Sequence, residues 1–150
     1  MSECQPTIKI VDNAPQVNIK IVDHYSDSDG GIDYSTYNTT AGEVLSGGRV
    51  VVIKDNKAYY FNPNDITMLG LVTGITKTAA SLNATIAIKL FGSFYESGLN
   101  LTPNEMYFVG VNGTLVTDPS GLLIVQPIGN ALNSDTLNIN INSPIETLQI

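Results

Sequence analysis

The dipeptide Asn112-Gly113 constrains the fold of this chain more than any other feature, because it separates two runs in which apolar and polar residues alternate. The first run covers residues 105–111 and the second covers residues 114–117. A two-residue type I′ turn needs positive φ at both central positions, which Asn and Gly tolerate, and its twist matches that of paired strands. The sequence therefore predicts a β-hairpin at this point.

Turn signals recur along the rest of the chain about every 8–12 residues, the spacing typical of β-sandwiches and barrels. We expect further strands at 49–54, 57–61, 69–78, 85–91, 122–125 and 136–142, and at most two helical turns near 65–69. The predicted fold is all-β: a compact antiparallel β-sandwich or barrel with an extended N-terminal arm. The residues expected to form its structural turns are Gly47, Gly48, Asn112, Gly113, Gly121 and Gly129.

An identical pentapeptide, Ile-Lys-Ile-Val-Asp, occurs at 8–12 and again at 19–23. Two interpretations remain open: a hairpin of two short strands, or two extended segments that add to the sheet edge of a partner. The polar, acidic and glycine-rich sequence that follows predicts a linker. We therefore divide the chain into an arm at 1–24, a linker at 25–40 and a β-domain at 41–150. The docking candidates are the apolar side chains of the repeat: Ile8, Ile10, Val11, Ile19, Ile21 and Val22.

The charge of the chain argues against nucleic acid as a partner. The net charge is −7, and the seven basic residues, among them the single arginine Arg49, are scattered. Binding to a phosphate backbone requires clustered cations. No apolar run approaches the roughly 18 residues of a membrane-spanning helix, and no signal-peptide pattern opens the chain. We therefore expect no membrane partner and synthesis in the cytoplasm.

No set of residues completes a catalytic or metal site. Cys4 is the only cysteine and His24 the only histidine, so a disulfide or a Cys/His metal cluster within the chain is not expected. The carboxylates of the β-domain do not reveal a catalytic pair by their spacing. We expect no enzyme activity, no catalytic residue, no metal and no cofactor. An acidic cluster lacks the spacing of a calcium loop and is interpreted as part of a hydrated linker: Asp23, Asp27, Asp29 and Asp33.

Five segments and an Asn-rich closing strand follow one another within residues 41–141. The segments are 41–51, 57–60, 70–80, 108–117 and 126–132. Their order resembles a family of small tailed-phage virion proteins, the head-decoration, auxiliary capsid and head-fibre proteins. The resemblance covers about two-thirds of the chain and implies a compact β-domain that forms a homotrimer on the capsid exterior or at the end of a fibre. It supplies no catalytic residues.

The resemblance implies a structural virion protein, made in the host cytoplasm, that decorates or stabilises the phage head or forms a head fibre. The implied partners are copies of the chain itself and the major capsid protein or other virion proteins, with the arm as the candidate for capsid docking. The alternative is an adhesion or carbohydrate-binding fibre module that recognises glycans on the host surface. That alternative is favoured by tyrosines in polar surroundings: Tyr25, Tyr34, Tyr37 and Tyr95.

Overall fold

A computed structural model describes residues 33–148 of the chain, and the predicted all-β fold is confirmed there. Two single turns of 3-10 helix, Ile66–Met68 and Val111–Gly113, are the only helical elements in this range. The strands are β1 Thr36–Ala41, β2 Val50–Lys54, β3 Lys57–Tyr60, β4 Val72–Thr76, β5 Thr85–Lys89, β6 Gly92–Tyr95, β7 Met106–Val109, β8 Leu115–Val116, β9 Ile124–Val125, β10 Pro127–Asn133, β11 Thr136–Ile139 and β12 Ile145–Glu146.

The first five strands close into a barrel with the order β1-β3-β2-β4-β5, in which β1 also pairs with β5. Every pairing in the barrel is antiparallel except that of β1 with β3, which is parallel and departs from the predicted antiparallel arrangement. Closure leaves these strands without a free edge. The interior of the barrel is filled by small and branched side chains: Ala41, Leu45, Val51, Ala58, Ile86 and Ile88.

A second, five-stranded sheet with the order β6-β11-β10-β7-β8 packs against the barrel. Strand β2 is buried on both faces, because Val51 belongs to the barrel interior whereas Val50 and Val52 belong to the core shared with this sheet. That double burial explains the unbroken run of β-branched residues in β2. Strands β9 and β12 form a separate antiparallel pair. The sheet contributes large side chains to the shared core: Phe94, Tyr107, Val109, Ile128, Leu137 and Ile139.

The predicted hairpin is formed by β7 and β8, and its loop differs from the prediction by one residue. Asn112 and Gly113 have φ values of 58° and 69°, as a type I′ turn requires. Val109, however, pairs with Leu115, and the Gly110 N–H donates to the Thr114 carbonyl at 2.7 Å. The hairpin is therefore centred on Asn112, and its loop has three residues, not two. The hairpin tip is tied to the barrel, since the Gly113 N–H donates to the Phe61 carbonyl at 2.9 Å. This tertiary contact holds the longer loop in place.

The predicted linker at 25–40 is wrong from Thr36 onward, because Thr36–Ala41 forms β1. This strand pairs with β5 over its length, from Thr36 opposite Lys89 to Thr40 opposite Thr85. Thr and Tyr are good strand formers, and the polar composition concealed a strand that closes the barrel. The N-terminal arm, with both pentapeptides, and the linker up to residue 32 lie outside the described residues and remain predictions.

A turn held by a side chain precedes β1. The Asp33 carboxylate accepts hydrogen bonds from the Ser35 N–H at 2.9 Å, from the Ser35 hydroxyl, and from the Thr36 hydroxyl at 2.9 Å. These hydrogen bonds favour the charged carboxylate, and the one from the Ser35 hydroxyl has the largest effect. Together they lower the pKa of Asp33 to about 2 from its ordinary value of 3.8.

We expect this turn to weaken in strong acid. Because folding lowers the pKa of Asp33, the carboxylate stabilises the fold above pH 3.8, and that contribution is lost as the pH falls towards 2. An NMR titration of the Asp33 carboxyl carbon should give a midpoint near 2, and Ser35→Ala should move it upward. An unaltered chain that titrates at 3.8 would contradict the turn geometry.

Candidate functional site

One face of the five-stranded sheet points away from the core and carries no Asp, Glu, Lys, Arg or His among its strand residues. Strand pairing builds this face: Ser93 of β6 lies opposite Asn138 of β11, which lies opposite Asn130 of β10. Asn130 in turn lies opposite Met106 of β7. We call this surface the neutral face and define it by Ser93, Tyr95, Met106, Phe108, Val116, Asn130, Thr136 and Asn138.

The neutral face is accessible and partly apolar. Tyr95 is 68% exposed and Met106 is 44% exposed, whereas Phe94 of the same sheet is buried in the core. The face ends at β6, an edge strand that pairs on one side with β11. Depletion of charge together with Tyr, Phe and Met is the composition typical of the centre of a protein–protein interface.

A second feature is a polar cleft of about 730 Å³, which we call the Arg49 cleft. It opens between the turn that precedes β2, the loop that follows β6, and the segment from the hairpin tip to the loop after β8. Leucine side chains and Val116 form the apolar part of the wall, and glycines and polar side chains form the rest. The polar side chains that matter for its chemistry are Arg49, Glu96, Asn100, Tyr107, Thr117 and Asp118.

Arg49 is half-buried and is held by two contacts with uncharged groups. Its Nη1 donates to the Asn112 carbonyl at 3.1 Å, and its guanidinium carbon lies 5.7 Å from the centre of the Tyr60 ring. The first contact engages a single donor of a group that has five, and the second is a cation–π contact. Among the described residues, no carboxylate forms an ion pair with Arg49. The guanidinium therefore retains donors that have no acceptor among residues 33–148.

Two carboxylates share the cleft with Arg49. The Glu96 carboxylate lies against the Gly47-Gly48 turn, and within the described range no protein donor forms a hydrogen bond with it. Asp118 accepts a hydrogen bond from the Ser120 N–H at 2.9 Å, which lowers the pKa of Asp118. The cleft thus presents one cation and two carboxylates with unused hydrogen-bonding capacity.

The predicted turn residues lie in different structural settings. Gly47 and Gly48 form the turn beneath the Glu96 carboxylate, and Gly121 lies in an exposed turn after β8. Gly129 was predicted to be in a turn but lies within β10, at the register shift that follows Pro127. A side chain there would overlap the Asn138 carbonyl oxygen of β11, so close strand approach is the reason for the glycine.

All of the predicted docking residues lie outside the described residues, whereas three of the four predicted tyrosines lie within them. Tyr37 lies on β1 of the barrel, whereas Tyr95 lies on β6 of the other sheet, so these two tyrosines belong to different sheets. Tyr34, which is 76% exposed, precedes β1. The remaining predicted positions lie outside the described residues: Cys4, Ile8, Ile10, Val11, Ile19, Ile21, Val22, Asp23, His24, Tyr25, Asp27 and Asp29.

Residues 33–148 contain no group of three or more His, Cys, Asp or Glu side chains arranged to hold a metal ion. The same range has no helix with the length and apolar character needed to cross a membrane. No protein-family model and no curated protein matches the chain. The neutral face and the Arg49 cleft are therefore the two surfaces of the described residues that bear on function.

Proposed function

We propose that the chain is a structural virion protein that sits as a homotrimer on the exterior of a tailed-phage capsid, where it decorates or stabilises the head or forms a head fibre. The order of segments within residues 41–141 supports this family of functions. The closed barrel and the sheet packed against it provide the rigid body that a surface module requires. The observation that carries the homotrimer is the neutral face.

Electrostatics favours self-association through the neutral face. A chain with a net charge of −7 repels its own copies, so identical subunits associate most favourably through a surface that brings no like charges together. The neutral face meets this condition and offers Tyr95, Phe108 and Met106 for apolar contact. The proposal places the neutral face at the three-fold axis, where a side chain meets its own copies from the other two subunits.

The test is the mass of the purified full-length chain in solution, measured by light scattering on a sizing column. We expect about three times 16.0 kDa for the unaltered chain. Met106→Glu should reduce the mass to that of a monomer, since it would bring three carboxylates together at the interface core. Leu82→Glu is the matched control, because Leu82 is 54% exposed and lies between β4 and β5, away from the neutral face.

Two results would contradict this proposal. A monomeric mass for the unaltered chain would exclude a trimer that assembles before docking. A trimer that resists Met106→Glu but is lost in Leu82→Glu would move the subunit contact from the neutral face to the barrel. Circular dichroism of both variants establishes that the strands remain folded, so that a change in mass reports association.

On this proposal the arm supplies the contact to the major capsid protein. The pentapeptides at 8–12 and 19–23 alternate apolar side chains in the manner of strands, and an extended segment can add to an exposed sheet edge of a partner. The neutral face and the arm then have separate tasks, self-association and docking. This separation makes each of them testable without the other.

A further inference from the structure

The Arg49 cleft has an arrangement of charges that the proposed structural role does not require. Arg49 and Glu96 have opposite charges and line the same cleft, yet they form no ion pair with each other. Within residues 33–148 the half-buried Arg49 guanidinium donates one hydrogen bond, to a backbone carbonyl, and the half-buried Glu96 carboxylate accepts none. Both groups therefore keep part of the cost of desolvation without compensation. An external ligand that satisfies both groups would offset this cost.

We propose that the Arg49 cleft binds a saccharide. A sugar hydroxyl donates and accepts hydrogen bonds at once, so neighbouring hydroxyls can accept from the Arg49 guanidinium and donate to the Glu96 carboxylate. Asp118 adds a second ionised acceptor, since an aspartate carboxyl is deprotonated at neutral pH. Hydrogen bonds to ionised groups are the stronger ones, which compensates for the competition of water with a polyhydroxylated ligand.

The walls of the cleft suit such a ligand in size and in character. A cleft of about 730 Å³ lies within the roughly 300–1,000 Å³ range of small-molecule sites. Leu99 and Leu115, which are partly exposed, provide apolar surface for the C–H face of a sugar ring. The polar side chains of the lining that could bind hydroxyl groups are those of Arg49, Glu96, Asn100, Thr117 and Asp118.

Charge distinguishes a saccharide from the other ligands that an arginine suggests. A phosphate or a carboxylate would gain from Arg49 but would be repelled by Glu96 and Asp118. A metal ion would be attracted by the two carboxylates but repelled by the guanidinium. A neutral ligand with many hydroxyls is the class that all three side chains accommodate together.

The experiment uses the full-length chain and ligand-observed saturation-transfer NMR with glucose, galactose and N-acetylglucosamine as separate probes. We expect transfer to at least one of them. Glu96→Gln should raise its Kd at least about tenfold, because a charge-assisted acceptor is replaced by a neutral one of the same shape. Glu105→Gln is the matched control, since it makes the same change on an exposed side chain outside the cleft.

A second measurement locates the site without any substitution. The amide resonances of Gly47, Gly48 and Thr117 should shift on titration with the bound sugar, because these residues line the cleft. The proposal is overturned if none of the three sugars shows transfer, if Glu96→Gln and Glu105→Gln bind equally well, or if the shifts map to another surface. It does not depend on the trimer, since a monomeric chain retains the same cleft.

Discussion

Replacing Gly113 by alanine is expected to lower the free energy of unfolding by at least about 3 kcal/mol. Losses this large usually come from steric overlap or backbone strain. Gly113 has a φ of 69°, which costs a residue with a Cβ about 1–2 kcal/mol. A Cβ at this position would also overlap the Val50 carbonyl oxygen of β2. The hairpin tip would therefore have to withdraw from the barrel and lose the hydrogen bond from the Gly113 N–H to the Phe61 carbonyl.

Gly121→Ala separates the conformational cost from the steric one. Gly121 has a similar φ of 83°, but no atom lies within 4 Å of the position that a Cβ would occupy. This variant should lose only about 1–2 kcal/mol. Urea unfolding of both variants at the same protein concentration measures the difference, since association couples stability to concentration. Equal losses in the two variants would mean that the hairpin tip is not held against β2.

The strands that the sequence predicted well are those with a strong local signal. Strands β2, β3 and β5 begin or end within two residues of the predicted runs 49–54, 57–61 and 85–91. In these segments β-branched and aromatic residues lie between turn-forming residues, so the strand propensity and the turn signals indicate the same boundaries. The hairpin of β7 and β8 was predicted for the same reason.

The strand that closes the barrel was missed because its signal is not local. Thr36–Ala41 is polar and follows an acidic stretch, which is the composition of a linker. It is a strand because β3 and β5 both pair with it, and those partners follow it by about 20 and 50 residues along the chain. Propensity contains no information on such pairings, so tertiary context decides the outcome.

The two candidate sites differ in how far the sequence reveals them. The alternation of Leu137 and Ile139 with Asn138 already indicates a sheet face made of amides. That Asn138 and Met106 lie on the same face, on either side of β10, can be known only from the pairing register of three strands. The Arg49 cleft has no sequence signal, because Arg49, Glu96 and Asp118 are far apart along the chain and only packing brings them to one cleft.

Removal of residues 1–24 is expected to abolish binding to the capsid while the β-domain remains folded. On the proposed function, the apolar side chains of the two pentapeptides are buried when the arm adds to a sheet edge of the capsid protein. Full burial of one Ile or Val contributes about 1.5–3 kcal/mol, so loss of several of them should weaken binding by more than about a thousandfold. Co-sedimentation with capsids measures binding, and the melting temperature measures folding.

A substituted full-length chain tests whether docking requires the apolar side chains of the arm or only an arm of this length. The six apolar residues to be replaced by serine are Ile8, Ile10, Val11, Ile19, Ile21 and Val22. Their replacement should abolish co-sedimentation as the deletion does, whereas serine at Lys9 and Lys20 should leave binding intact. Loss of binding in the lysine variant alone would indicate an electrostatic contact with the capsid and not strand addition.

Binding that survives the deletion would place the capsid contact on the β-domain. In that case the neutral face, as the exposed surface with interface composition, would be the next one to test by substitution.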